Sequence, residues 1–578
     1  MIVFSFLDFF LFISPFLVIV SILYFSRKQN PKTLTGYFQA EGKLSWFVAG
    51  TAMVATTFAA DTPLAVTEIV RSSGVSGNWL WWYMAIGGLV TVFFFSKLWK
   101  RSGAKTDLEL IAIRYTGPEA NVLRSLKAVI IGGILNMIIL GWVNLAMLKI
   151  IQVFFPEYSD IFILFTLMIL GIVYTSLGGL KGISLIDVFQ FFLAWGGCLL
   201  YAYFILELPG VGGITGLVSK IPADKLNFYP NFFGTTGLPF DHFLIMLTII
   251  WWSSWYPGSE PGGGGYIAQR ILATEDENAA IKSSLWFVLA HYFLRPWPWI
   301  LVALASIIVF PNLSELESGK GFLLFLNEGL PTGIKGLILS AFLAAYLSTL
   351  ATHLNWGASY LVYDLWKPVL QKNKSDRHYL NISYMIQFLT GTGSLLLAVY
   401  GMETVKGAWV FLLEASSGIG FVLIARWFYW RISAYTEILA IILSPLCYFL
   451  YAIIFKMEFP YTVVATSFTC MILLIISTFI LPTAKTNVLK NFYHQAKPPY
   501  FFWSGLFEEE RSTFPKYNNQ LWISFLGVIS GFLVIVGGLQ TIQALMWNHS
   551  LIYYSVPILI IGICLLRHAL NKSLRPIT

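Results

Sequence analysis

The sequence predicts an all-α integral membrane protein, one bundle of about fifteen transmembrane helices, and three observations predict it. Hydrophobic residues make up 57% of the 578-residue chain and charged residues only 11%, far below the roughly one quarter charged of soluble domains. Apolar windows of about 20 residues, long enough to cross the hydrocarbon of a bilayer, recur along nearly the whole chain. Two of those windows are interrupted by residues that weaken helices, at positions that correspond in two halves of the chain.

The first window, residues 2–25, lacks a basic start and a small-residue cleavage site and carries Asp8, so it reads as a retained helix rather than a secretory signal. The next spans are expected at 43–70, 78–99, 124–154, 160–178 and 183–207. The first of these holds TAMVATTFAADTPLAV (residues 51–66), with four threonines, Asp61 and Pro63 at bilayer depth. A second series follows at 240–267, 283–309, 332–365, 379–400 and 407–430. Its first member, WWSSWYPGSEPGGGGYIAQR (residues 251–270), contains Pro257, Gly258, Pro261 and Gly262 to Gly265, which make continuous helix improbable. Four further spans, 436–456, 461–482, 519–541 and 551–568, complete the set. The loops 208–238 and 483–518 are too short and irregular for a second folded domain, so residues 1–578 read as one membrane domain whose function lies in the membrane.

The broken segments stand five spans apart and therefore cross in opposite directions. That is the sequence pointer to an inverted-repeat transporter with a binding site at mid-membrane. It divides the chain into an extra N-terminal helix (2–25), repeats at 43–207 and 240–430, and four C-terminal helices over 436–568. Unwound backbone in hydrocarbon is tolerated only where it lines a cavity or binds something. Close packing of small residues explains Ala52, Ala55 and Ala59, but not Asp61 beside Pro63.

The net charge of +8 invites a nucleic-acid reading, which its placement excludes. With the N-terminus outside and alternating spans, about 28 of the 37 Lys and Arg fall on one side, the positive-inside pattern. The excess reports topology and anionic lipid, with the C-terminus cytoplasmic in a plasma (bacterial inner) membrane. Cys198, Cys447, Cys470 and Cys564 lie inside apolar spans without C-x-x-C spacing, so neither disulfides nor zinc is expected. Ionisable groups at membrane depth are functional suspects: here Asp61, Glu68, Glu260, Arg295 and Glu414, with His291 and His353 as weaker ones. A guanidinium at the depth of Arg295 calls for a carboxylate, expected from Glu260, Asp61 or Glu414 in a structural ion pair rather than from an anionic substrate. Trp251, Trp252, Trp255 and Tyr256 read either as solute-stacking or gating rings or as interface anchors.

The segments YTSLGGLKGISLIDVFQFF (174–192) and SAFLAAYLSTLATHLNWGASYLVYDLWK (340–367), with the stretch at 51–66, resemble the sodium:solute symporter family over roughly residues 2–480. The resemblance implies the LeuT-type fold of two inverted five-helix repeats and Na+-coupled transport of a small polar solute. It implies a sodium site made of the carbonyls of Ala55, Phe58 and Ala345 and the hydroxyls of Ser348 and Thr349. Positions 345, 348 and 349 share one helical face by spacing alone, although such hydroxyls also bond their own helix carbonyls. Some members hold a second sodium. Asp187, Thr352 and Ser348 match its ligands, while Ala351 replaces another. Two readings of Asp187 stand level: that ligand role, and a structural one in which it tunes the exit path or caps the start of the fifth core helix. Asp61, Trp255, Glu260, Arg295 and Glu414 are the candidates for the solute cavity.

The function expected is uptake of a small organic solute coupled to Na+ by alternating access, with no nucleic acid and no obligate protein partner. A membrane sensor built on the same fold is the alternative. No H-E-x-x-H, G-x-S-x-G or kinase signature supports an enzyme.

Overall fold

The computed structural model describes residues 4–29, 33–230, 237–256, 260, 262–507 and 516–575. Among these residues all repeating structure is helical, and the only β-bridge pairs Leu44 with Thr274. In chain order the elements used below are α1 (Phe6–Ser26), α2 (Trp46–Thr57), α3 (Asp61–Ser73), α4 (Val75–Ser102), α5 (Pro118–Phe154), α6 (Asp160–Leu206), α7 (Phe240–Ser253) and α8 (Gly265–Leu272). They continue with α9 (Glu277–Val309), α10 (Ile334–Leu370), α11 (Asp376–Tyr400), α12 (Val405–Ala415), α13 (Gly420–Phe428), α14 (Ala434–Ile454), α15 (Tyr461–Ile480), α16 (Leu521–Met546) and α17 (His549–Ser573).

By length and composition 11 helices, or 12 if α12 and α13 form one bent span, suffice to cross a membrane. The predicted count of about fifteen is not reached by that measure, for a physical reason. The segments 43–70 and 240–267 are broken into pieces too short to qualify, and the spans expected at 160–178 and 183–207 run together as the 47-residue α6. The join is a sharp bend at Gly179 (φ 53°, ψ −176°), a conformation that favours glycine.

Local chemistry explains the first break. Ser45 caps α2, accepting from the Val48 N–H at 3.4 Å. The ring of Pro63 would strike the carbonyl of Ala59 in a continuous helix, so α2 ends at Thr57 and Phe58 leaves helical geometry (φ −91°, ψ 66°). Pro63 then falls in the first turn of α3, where a missing N–H costs nothing. In the second break Pro257, Gly258 and Pro261 lie outside the described residues. On its near side Ser254 is extended, and on its far side Gly262 and Gly263 have φ of 89° and 69°. A third break was not anticipated. The expected span 407–430 is bent by 48° between α12 and α13, at Ser416 to Ile419.

The interior is built around α10, of whose apolar window 89% is buried, against 17% for α1 and α17. α10 packs chiefly on α6, and α2 is held between α6 and α9. The faces of α1, α14, α15 and α17 that point outward carry Phe, Leu, Ile and Tyr, as a lipid-facing surface requires. At the ends of the bundle the charges pair. Glu437 meets Lys127 and Arg426 and accepts from Tyr115 Oη at 2.8 Å, and Asp364 meets Arg124 at 2.5 Å.

Candidate functional site

The break between α2 and α3 faces α10 and α6. Ala55, Phe58, Ala345 and Ser348 line one narrow crevice there, with Gln190, Phe191 and Ala194 of α6 as its remaining wall. The Phe58 N–H is shared by the carbonyls of Val54 and Ala55, 3.0 Å from each. Ser348 Oγ donates to Asp187 Oδ1 at 2.6 Å. Thr349 Oγ1 donates to the Thr56 carbonyl at 2.8 Å and to the Ala345 carbonyl of its own helix at 3.2 Å. A hydroxyl that gives its proton away keeps its lone pairs, so both hydroxyls retain the acceptor capacity a cation needs. The donors are uncharged oxygens, the kind of set that suits a hard monovalent ion. Four of the five predicted ligands share the crevice, while Thr349 lines the neighbouring cavity instead. Gln190 went unnoticed in the sequence because it sits in an ordinary apolar helix pattern.

That neighbouring cavity has a volume of about 80 Å³, room for roughly five waters. Its walls are the aromatic rings of Trp81, Trp142, Tyr256, Tyr266, Tyr292 and Trp409, with Asp61, Thr62 and Arg295 among its polar groups. Asp61 is buried and forms no ion pair among the described residues; Thr62 Oγ1 stands 3.5 Å from its Oδ1. His291 and His353 also line the cavity; the first bonds Thr57 Oγ1 at 2.9 Å and the second Asn136 Oδ1 at 2.7 Å.

No carboxylate makes an ion-pair contact with Arg295 among the described residues, although Asp61 lines the same cavity. A π-helical turn over Ala290–Leu294 and the following Pro296 turn the guanidinium toward the end of α2 instead. Nη1 donates to the Val54 carbonyl at 3.1 Å and to Thr57 Oγ1 at 3.2 Å, and Nη2 to the Thr57 carbonyl at 3.0 Å. The group also sits 5.3 Å from the Phe58 ring centre and 5.1 Å from that of Trp299. A helix C-terminus presents unsatisfied carbonyls and partial negative charge, which serves here in place of a carboxylate. The residues of this break therefore interleave: the carbonyls of Val54 and Thr57 hold the arginine, and Ala55 and Phe58 line the crevice.

Three predicted cavity residues lie elsewhere. Trp255 Nε1 donates to Glu260 Oε2 at 2.5 Å, which turns both side chains away from the cavity. Glu260 instead borders a much smaller space with Gly88, Thr91 and Ser284. Glu414, at the end of α12, is outside the cavity lining: it stands five residues after the cavity-lining Trp409 on the same helix, which puts it on another face. Asp187 lies two turns beyond the bend at Gly179 rather than at a helix start, so the capping role fails. Its Oδ2 is 3.6 Å from Arg270 of α8, whose Nη2 donates to Thr352 Oγ1 at 2.9 Å. Arg270 escaped notice because nothing local marks it; its partners come from other helices.

A sequence model of the sodium:solute symporter family matches residues 37–429. The sodium/glucose cotransporter of Vibrio parahaemolyticus is 23% identical over 408 residues, covering 65% of this chain and 72% of that one. The sodium/sialic acid symporter SiaT of Proteus mirabilis is 23% identical over 389 residues, 65% and 74% of the two chains. Among solved structures, a substrate-bound, outward-open Na+-coupled sialic acid symporter aligns with a TM-score of 0.67 at 19% identity, covering 84% of this chain and 99% of that one. The architecture is accordingly the all-helical LeuT-type bundle expected. The broken first helix, its crevice against α10 and a match over most of the chain lead to one conclusion: this multi-pass membrane protein belongs to the sodium:solute symporter family.

Proposed function

We propose that this chain imports a small polar organic solute together with Na+ by alternating access, residues 43–207 and 240–430 being the inverted repeats that move against each other. The observation that carries the reading is the crevice where the α2–α3 break meets α10, immediately beside an aromatic-walled cavity. Na+ entering from outside joins the carbonyls of Ala55, Phe58 and Ala345 to the hydroxyls of Ser348 and Thr349. It thereby fixes the end of α2 and, with it, Thr57 and Asp61 at the cavity wall. Solute then binds between the rings, with Asp61 and the tyrosine hydroxyls as polar contacts. Rocking of the repeats opens both sites to the cytoplasm.

The energetics suffice. One charge crossing about 150 mV gains roughly 3.5 kcal/mol, and a tenfold sodium gradient adds about 1.4 kcal/mol. Their sum sustains roughly a thousandfold accumulation of a neutral solute. The chain lies in the plasma (bacterial inner) membrane with its N-terminus outside, and the basic segments supporting that orientation are cytoplasmic.

A thermal-shift screen of the purified protein against sugars, sialic acids, amino acids and carboxylates, in Na+ or in K+, tests the reading. Glucose and sialic acid, the solutes named for the relatives, are its first arms. A solute that stabilises in Na+ alone, and accumulates in proteoliposomes only with a sodium gradient, is the expected result. Binding without accumulation would favour the sensor instead.

A further inference from the structure

Beside the sodium crevice lies a second set of oxygens of the kind that binds cations: the carboxylate of Asp187 and the hydroxyls of Ser348 and Thr352. All three residues are fully buried. Their centre is taken by a side chain. Arg270 is itself 0% exposed, lies 3.6 Å from Asp187 Oδ2, and donates from Nη2 to Thr352 Oγ1 at 2.9 Å. Thr352 Oγ1 also accepts from Thr56 Oγ1 at 3.1 Å, and Asp187 Oδ1 accepts from Ser348 Oγ at 2.6 Å. The guanidinium is positioned from behind. Its Nη1 donates to Gln269 Oε1 at 2.9 Å, and the Gln269 amide is anchored on the Phe38 carbonyl at 3.0 Å and Asn355 Oδ1 at 3.1 Å.

We infer that Arg270 is a tethered cation holding the place of a second sodium, so that this transporter binds a single Na+. The inference rests on the sodium-coupled reading above and deepens it. The donor set present does not fit a free ion there. One carboxylate balances one charge, and a sodium added beside the guanidinium would leave an uncompensated positive charge in a dry site, which is costly. Position 351, one turn from Ser348 on the same face of α10, is Ala351 and supplies a methyl where a further hydroxyl would be needed. Ser348 joins the two sites, since it both lines the crevice and bonds Asp187. The fixed charge of Arg270 is therefore felt at the sodium crevice through a single hydroxyl.

Equilibrium binding of radioactive Na+ to the full-length protein in nanodiscs, without solute, counts the ions directly. The wild type is expected to bind about one Na+ per chain with a Hill coefficient of about 1. Ala351→Ser alone is expected to leave the count unchanged, because the guanidinium still fills the place. Arg270→Gln combined with Ala351→Ser is expected to raise it to about two ions and the Hill coefficient toward 2. Two ions on the wild type overturn the inference, as does a folded double variant that still binds one. Should the double variant not fold, the wild-type and Ala351→Ser counts decide the matter by themselves. A wild type that binds no Na+ at all overturns the sodium-coupled reading and this inference with it, an outcome distinct from a count of two.

Discussion

The two helix breaks occupy corresponding places in the chain and are built of opposite chemistry. The break between α2 and α3 contributes only backbone and uncharged side chains up to Phe58; two of its carbonyls are met by the guanidinium of Arg295, and Ala55 and Phe58 line the crevice. The break between α7 and α8 brings its own charge, Glu260, which is enclosed by Trp255 and by the tight glycine backbone; a Cβ on Gly264 would stand 1.9 Å from Glu260 Oε2. It is also braced from outside. Ser254 Oγ donates to the Leu413 carbonyl at 2.9 Å and Ser416 Oγ to the Trp255 carbonyl at 2.7 Å, both across to the α12–α13 bend. One break borders an uncharged crevice, and the other encloses a carboxylate. A matching position in two repeats therefore says where helices stop, and nothing about what the gap will bind.

The comparison can be broken most forcefully at Arg295. Arg295→Gln should remove the group that holds the end of α2, at about 1.5–3 kcal/mol for each charged hydrogen bond lost, and should collapse both the thermal midpoint and transport. Arg295→Lys should not rescue it, since a point charge does not span two carbonyls as a planar fork does. Normal Na+-driven uptake by Arg295→Gln would show that the first break needs no fixed cation.

Next in size is the crevice itself. Ser348→Ala and Thr349→Ala should each weaken apparent Na+ affinity by about tenfold or more, equivalent to about 1.4 kcal/mol, with Thr349→Ser restoring it. Sodium titration of the thermal midpoint measures this. Asp61→Asn should weaken solute binding while leaving solute-free Na+ binding within about threefold of wild type, because Asp61 lines the cavity and not the crevice. Equal loss of both would merge the two sites.

The smallest effect belongs to the second break. Glu260→Gln keeps an acceptor for Trp255 Nε1 and should shift stability by about 1 kcal/mol without changing Na+ affinity. If Glu260→Gln instead abolishes sodium dependence, the roles of the two breaks have been exchanged.

Much of this was legible in the residues. Apolar windows marked the spans, Pro63 marked the first break through its clash with Ala59, and the spacing of 345, 348 and 349 put those residues on one face. The bend between α12 and α13 carried a signal as well, since Ser416, Ser417 and Gly418 are weak helix formers; within an apolar window that signal was overridden. The bend at Gly179 was visible as the interruption between the spans 160–178 and 183–207.

What the sequence by itself determined is where helices form, where they fail and which positions share a face, because those follow from backbone sterics and periodicity within a few residues. What only the tertiary structure decided is which buried charge meets which group. Arg295 found carbonyls instead of a carboxylate, Asp187 found Arg270, and Glu260 turned to Trp255. These partners lie on different helices, and a buried charge settles on whichever oxygen or proton the packed helices bring within reach. Only the approach of one helix to another sets that distance.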